Sequence, residues 1–341
     1  MDEAECQATL IYNPTAGFWD WSAVIAKVVS FWETQGWTLH IASTRHTGHA
    51  TELARQAAAA NHRLVLAAGG DGTLNEIANG LVGTASVLAP MPVGTSNSFA
   101  KELGLPRPNV LYPDYLLEVS QALARGRVQA MDVGYVADAA PIKGRDDSTD
   151  STDSEAGRYW LLWASTGIDG FVVRQVEPRQ RWFKYLGPLG YLVRAITFLP
   201  QFRGMHSTIT VDGQTLEGDY LLINVSNCRM WMGGELRLNQ DAVLDDGKFE
   251  LWLFRGKHWP RLFNYGFEIT REEHLKNPDV SVRSCQEVSI TTTNPMAYHL
   301  DGEPMADTPL TTSIRRGALL LLAPDTVPTG LFSLPGQPLK I

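Results

Sequence analysis

The 341-residue sequence predicts a fold in two parts, α/β followed by all-β: an N-terminal α/β unit on a parallel sheet and a C-terminal antiparallel β-sandwich. Three observations predict it. The length exceeds what one hydrophobic core usually organises. From Gln7 to Leu103, strand-length apolar runs alternate with helical spacing, the pattern of successive βα units. Beyond Arg158, short alternating segments separated by turns such as Asp212-Gly213 and Asp246-Gly247 replace that pattern. The α/β unit is assigned residues 1–130, rejoined by 316–324. The sandwich is assigned 131–315, and 325–341, rich in Pro and Gly, an irregular tail without fixed structure.

In order, Gln7 to Tyr12 reads as a strand, followed by the loop Asn13-Pro14-Thr15-Ala16-Gly17 and a helix with Val24, Ile25, Val28, Val29 and Trp32 on its apolar side. Trp37 to Ser43 is a second strand. Thr44 and His46-Thr47-Gly48-His49 lie at its carboxyl end, before an alanine-rich helix from Ala50 to Ala60. Leu64 to Ala68 is a third strand and Val87 to Met91 a fourth, the latter leading into Pro92-Val93-Gly94-Thr95-Ser96-Asn97-Ser98 and a helix from Phe99 to Leu103. In a parallel sheet, the polar loops after these strands gather at one end, where α/β proteins bind ligands.

The third loop carries most of the chemical information. Gly69-Gly70-Asp71-Gly72-Thr73-Leu74-Asn75-Glu76 joins an apolar strand to a helix. Glycines allow consecutive N–H groups to face one anion, and the helix adds its free N-terminal donors. Three glycines and a carboxylate fit a nucleotide with a divalent metal; alone, they also fit a structural turn capped by Asp. No Gly-x-x-x-x-Gly-Lys-Ser/Thr is present and no Gly-x-Gly-x-x-Gly opens the first helix, which removes the P-loop and dinucleotide-binding readings. His40, His46 and His49 read as structural or solvated rather than as metal ligands.

Composition narrows the partners. A net charge of −8 opposes a general nucleic-acid binder. Cys6, Cys228 and Cys285 are too few and too scattered for a disulfide framework, which points to a reducing, cytoplasmic setting. The acidic start, Met1 to Glu5, reads as neither signal nor transit peptide, and no run reaches membrane-spanning length. Lys143 to Glu155 reads as a solvated insertion. From Arg174 to Arg203, aromatic and basic residues interleave on predicted helices, which suits either a bilayer surface or packing on the sandwich. Further strands are expected at Tyr159–Thr166, Met205–Val211, Asp219–Asn227, Lys248–Leu253, Glu287–Thr293, Met296–Leu300 and Thr311–Ile314, with Ala318–Ala323 returning to the first unit.

Together these motifs resemble the diacylglycerol kinase type of lipid kinase, which includes sphingosine kinases and bacterial lipid kinases. The resemblance rests on Asn13 to Gly17, Gly69 to Glu76, Pro92 to Asn97, Asp132-Val133-Gly134, Ser165 to Asp169, Leu244 to Phe249 and Leu300-Asp301-Gly302-Glu303. It implies ATP and Mg²⁺ between two domains, in a fold shared with NAD kinases. Asn13, Pro14, Thr15, Ala16, Gly17, Thr44, Gly69, Gly70, Asp71, Gly72, Thr73, Leu74, Asn75, Glu76, Thr95 and Asn97 fall on nucleotide-site positions. Glu303 falls on the general base, with Asp301 beside it and Asp71 as a further catalytic acid. Asp246, with main-chain oxygens at Val243 and Lys248, matches a structural metal site tied to the active-site acids. The acceptor is then a lipid hydroxyl, first diacylglycerol, reached peripherally at a membrane by a cytoplasmic protein, with a homodimer among the expected assemblies.

The chemistry is consistent: a lipid hydroxyl needs a carboxylate to take its proton as it attacks the γ-phosphorus. Strand alternation would turn Asp301 and Glu303 to one side. Two positions depart from the bacterial pattern, Ser98 in place of Asp and Lys101 in place of Arg, and they leave the acceptor open. A sphingoid or other lipid kinase, an NAD kinase and a non-catalytic nucleotide- or lipid-binding protein remain as alternatives.

Overall fold

The computed structural model of the chain describes residues 6–17, 21–106, 112, 114–139, 157–176 and 197–339. The expected insertion at 143–155, and 177–196 of the basic and aromatic segment, lie outside them.

Strands β1 (Gln7–Tyr12), β2 (Thr38–Ser43), β3 (Leu64–Gly69) and β4 (Val87–Pro92) run parallel in the order β4-β3-β1-β2. Their bounds fall within one residue of expectation. Every residue of β3 and β4 is buried, the reason both read as unbroken apolar runs. Helices α1 (Ser22–Thr34), α2 (His49–Ala59), α3 (Asp71–Leu81), α4 (Ser98–Glu102) and α5 (Tyr115–Ala124) complete the unit. Val24, Ile25, Val28 and Trp32 of α1 are buried. Helices α2 and α3 approach closely because Gly80 has no side chain: a Cβ there would sit 2.7 Å from Ala54 Cβ.

The second unit contains β5 (Arg127–Val136), β6 (Arg158–Trp160), β7 (Trp163–Gly167), α6 (Ile168–Val176), β8 (Met205–Val211) and β9 (Gln214–Ser226). A small ribbon follows, β10 (Met230–Trp231) with β11 (Leu236–Arg237), then β12 (Phe249–Arg255), α7 (Arg261–Thr270), β13 (Val280–Cys285), β14 (Glu287–Thr292), β15 (Ala297–Leu300), β16 (Glu303–Asp307) and β17 (Leu310–Ala323). The first half of β9 pairs with β8, and the second half lies between β7 and β12. The strand thereby passes from one antiparallel layer to the other. Trp160, Ile209, Ile223, Leu251 and Val288 are buried together in one core, and α6 and α7 join Leu222 and Trp252 in a second cluster.

The two units share hydrogen bonding: β17 pairs antiparallel with β5, and its Leu321 pairs parallel with Leu88 of β4. The structure corrects three expectations. Thr311–Ile314 and Ala318–Ala323 are one strand with a register shift between Arg315 and Leu319, where Gly317 has φ of +54°. Tyr159–Thr166 is two strands, interrupted at Leu161-Leu162. The tail is not loose: Leu331 is fully buried, its carbonyl accepts from Leu244 N–H at 2.9 Å, and Gln337–Pro338 (β18) pairs with β5.

Candidate active site

The loops after β1, β3 and β4 shape one another through short-range contacts. Asn13 Oδ1 accepts from the N–H and the hydroxyl of Thr15 (2.9 and 2.8 Å), an Asx turn, while its amide donates to Thr73 Oγ1 at 3.0 Å. Gly94 passes so close to the glycine loop that a Cβ would lie 2.5 Å from Gly70 Cα. Gly17, with φ of +72°, lies against Val93 O, which a Cβ would approach to 2.3 Å. Asp71 opens α3 and accepts from Phe99 N–H at the start of α4 (3.2 Å), joining the third and fourth loops. Gly70 caps α3 without a side-chain bond, so the first-turn N–H groups are available to an anion. This donor set fits a nucleotide phosphate.

Not every predicted nucleotide position presents its side chain. Thr15 and Thr95 are exposed, and Thr44 is half-buried. Leu74 is part of the hydrophobic core. Asn97, with φ of +49°, uses both ends of its amide on the N–H and carbonyl of Gly94 (3.0 and 2.7 Å), thereby fixing the loop. The Glu76 carboxylate accepts from Ala50 N–H at 3.2 Å in the first turn of α2. Burial raises its pKa, partly offset by bonds from Gly48 and Ala50.

The second unit contributes the turn between β15 and β16. Leu300 pairs with Glu303, so Asp301 and Gly302 are the two residues of a tight hairpin, both at positive φ (+51° and +83°). This corrects the alternation argument: the two acids are placed by a turn, not by a strand face. Asp301 Oδ1 accepts from Leu162 and Trp163 N–H (2.8 and 2.9 Å), and Oδ2 from Leu161 N–H and Asn75 Nδ2 (both 2.7 Å). The break between β6 and β7 is therefore the receptor for this carboxylate. Burial raises the Asp301 pKa and the four donors oppose the rise. Fully engaged, Asp301 locks the turn to the glycine-loop helix through Asn75.

Glu303 is differently placed. Arg158 makes a forked ion pair with it, and the same guanidinium reaches Asn75 Oδ1 at 3.4 Å. Arg158 was not singled out from the sequence: it borders a polar insertion, and its partner is 145 positions away. Also unforeseen is the latch on α4. Glu102, 3% exposed, accepts from Arg229 and Met230 N–H (3.0 and 2.9 Å), and Lys101 donates to Gly233 O at 2.8 Å and pairs with Glu235. A recurrent apolar stretch could not announce either, because both are polar contacts made at long sequence range.

Around the expected metal position, Asp246 Oδ1 accepts from Lys248 N–H at 3.0 Å, and Asp132 accepts from Gly247 and Gly317 N–H (2.6 and 2.7 Å). The bonds that hold this loop run to Asp132, Gln286 and Arg316 and to the tail at Leu331, Ser333 and Leu334. Among the described residues, the side chains that gather within metal-ligand reach are His46, His49 and Glu52. His46 and His49 are stacked face to face, and His49 Nδ1 accepts from Arg45 N–H at 3.1 Å. No helix among the described residues is long and apolar enough to cross a membrane.

Comparison with known proteins agrees with this geometry. Residues 7–136 match the family model for the Diacylglycerol kinase catalytic domain, and 163–323 match that for the YegS C-terminal NAD kinase beta sandwich-like domain. The chain is 28% identical over 299 residues to a diacylglycerol kinase of Bacillus subtilis (strain 168), covering 87% of this chain and 89% of that protein. Against a diacylglycerol kinase of Staphylococcus carnosus (strain TM300) the identity is 27%, with 87% and 88% covered. Two solved structures from Bacillus anthracis str. Sterne share the fold, with TM-scores of 0.71 and 0.66 at 22% and 21% identity, each over 95% of this chain and 97% and 98% of theirs. With both domains matched in order and a nucleotide loop facing a paired acidic turn, the chain belongs to the diacylglycerol kinase-type family of lipid kinases and is a kinase using ATP as phosphate donor.

Proposed function

We propose that the chain phosphorylates the free hydroxyl of diacylglycerol at a membrane surface, with Glu303 as general base. The observation that carries this reading is the junction at Asn75: one residue of the phosphate-loop helix bonds Asp301 of the hairpin and meets Arg158, the partner of Glu303. A donor site and a base are thereby held in fixed relation across the two units.

The loops from Asn13 to Gly17, Gly69 to Asn75 and Gly94 to Asn97 bind and orient the phosphates with backbone donors. Mg²⁺, when bound, would offset charge on the phosphate oxygens; Asp71, with one carboxylate oxygen engaged by Phe99 N–H, would supply a hard oxygen ligand of the kind it favours. Glu303 takes the hydroxyl proton. The longer prong of its ion pair, Arg158 Nη1 to Oε1 at 3.3 Å, is the one the acceptor hydroxyl replaces. Arg158 then remains close enough to meet charge developing on the transferred group. Asp246, Val243 and Lys248 would hold a structural cation remote from this chemistry. The exposed Phe263 and Phe267, one turn apart on α7, support contact with a bilayer.

The test is transfer of labelled γ-phosphate from ATP to diacylglycerol, monoacylglycerol, sphingosine and ceramide in mixed micelles, with NAD as a further acceptor and Asp71→Ala as control. Labelled phosphatidic acid absent from the control is expected. Label on a sphingoid base or on NAD alone would reassign the acceptor.

A further inference from the structure

The turn that carries Glu303 has two anchors, of which Asp301 is one. The other is His299, on β15 and 3% exposed. Its Nδ1 accepts from the N–H of Gly302, the residue between the two acids, at 3.1 Å. An accepting Nδ1 in a neutral ring puts the proton on Nε2, and Nε2 lies 3.3 Å from Asp169 Oδ2. The same oxygen accepts from Ser165 Oγ at 3.0 Å and from Trp231 Nε1 at 3.2 Å. Ser165 stands directly opposite His299 in the β7–β15 pair. None of these side chains reaches the phosphate loop or the acceptor's base directly.

We propose that His299 is a positioning residue for phosphoryl transfer, seated beside the Ser165–Asp169 pair and acting on Glu303 through the N–H of Gly302. The inference rests on the reading of Glu303 as base. Both central turn residues occupy the left-handed region, which an Asp-Gly pair accommodates, and the two anchors fix where the turn sits. Release of one anchor lets Glu303 drift, and a displacement of about 1 Å at a base costs up to roughly 100-fold in rate. Trp231 extends the cluster to the loop that Lys101 holds against α4, so the base and the fourth loop share one support.

The test compares His299→Leu with His299→Asn, whose Oδ1 restores an acceptor where Nδ1 stood, and runs Glu303→Gln alongside. The expected result is a kcat for His299→Leu about 10- to 100-fold below wild type with the KM for ATP unchanged, and substantial recovery in His299→Asn. Wild-type kcat in His299→Leu, or equal loss in both variants, overturns the proposal. Should His299→Leu not fold, Asp169→Asn decides: lower kcat at unchanged ATP KM supports it and wild-type kcat overturns it. Loss in Glu303→Gln with none in His299→Leu removes the positioning role alone. Full activity in Glu303→Gln with loss in His299→Leu removes the base assignment and leaves the turn's support in place.

Discussion

The two halves of the active site are held in opposite ways. The phosphate-loop end of the first unit is shaped by absence: Gly17 and Gly94 let backbones meet where a Cβ would collide. The Asp301–Glu303 turn of the second unit is shaped by a buried charge, a carboxylate receiving four donors from an interrupted strand and from Asn75. In the proposed reading the first half binds through many interchangeable backbone donors. The second concentrates its function in single side chains. Substitutions should therefore separate the halves by which property fails.

The largest effect is expected at Glu303. Glu303→Gln should fold as wild type and lose about 10²- to 10⁴-fold in kcat, the usual worth of a general base, measured by label transfer alongside thermal melting. Two residues earlier the outcome should reverse. Asp301→Ala leaves the N–H groups of Leu161, Leu162 and Trp163 and the Asn75 amide without their acceptor, and should cost about 3 to 5 kcal/mol in urea unfolding. If Asp301→Ala melts like wild type, the contrast between an anchoring acid and a working acid is wrong.

The glycine half should fail in binding. Gly94→Ala places a Cβ 2.5 Å from Gly70 Cα and 2.9 Å from Asn97 Oδ1, so the loops must part. A rise of about tenfold or more in the dissociation constant for ATP is expected, with a smaller loss of global stability than in Asp301→Ala. Nucleotide titration followed by unfolding tests both parts. Unchanged affinity would show that the close approach has no bearing on the nucleotide.

An acid outside both halves sets the smallest effect. Burial, reinforced by the negative charge of Asp246, pushes the Glu250 pKa up to about 7. A carboxyl raised in the folded state contributes stability that is fully present below its ordinary pKa near 4.5 and is lost as pH rises through about 7. The loss is at most about 3 kcal/mol, less after solvent screening. Glu250→Gln should flatten stability between pH 5 and 7.5 and leave the protein about 1 to 2 kcal/mol more stable at the upper end. Parallel pH profiles for the two proteins would rule this out.

How legible these features were depends on how local their cause is. The span Leu64 to Glu76 could be read as strand, loop and helix because burial on both faces, glycine turns and helical spacing all act within a dozen residues. The Asp301–Glu303 acids were found through resemblance, and Asp301-Gly302 is the same kind of turn signal as Asp212-Gly213, but nothing local shows that Leu161, Leu162, Trp163 and Asn75 receive the carboxylate. Arg158, Glu102 and His299 gave no local signal, since each is defined by a partner on another element. The tail was misjudged for a related reason. Its Pro and Gly content reads as loose, yet Asp245 accepts from Ser333 and Leu334 N–H (2.6 and 3.0 Å) and Leu331 fills a core position. Composition cannot register contacts that the tail makes with a loop nearly ninety positions earlier.

The most direct measurement is single-turnover transfer of labelled γ-phosphate from ATP to diacylglycerol in mixed micelles, with wild type and Glu303→Gln matched for bound nucleotide. The account predicts equal ATP binding, rapid label transfer in wild type and a rate at least about 100-fold lower in the variant. Equal rates of transfer in the two proteins would contradict it, and would move the proton acceptor away from the hairpin turn.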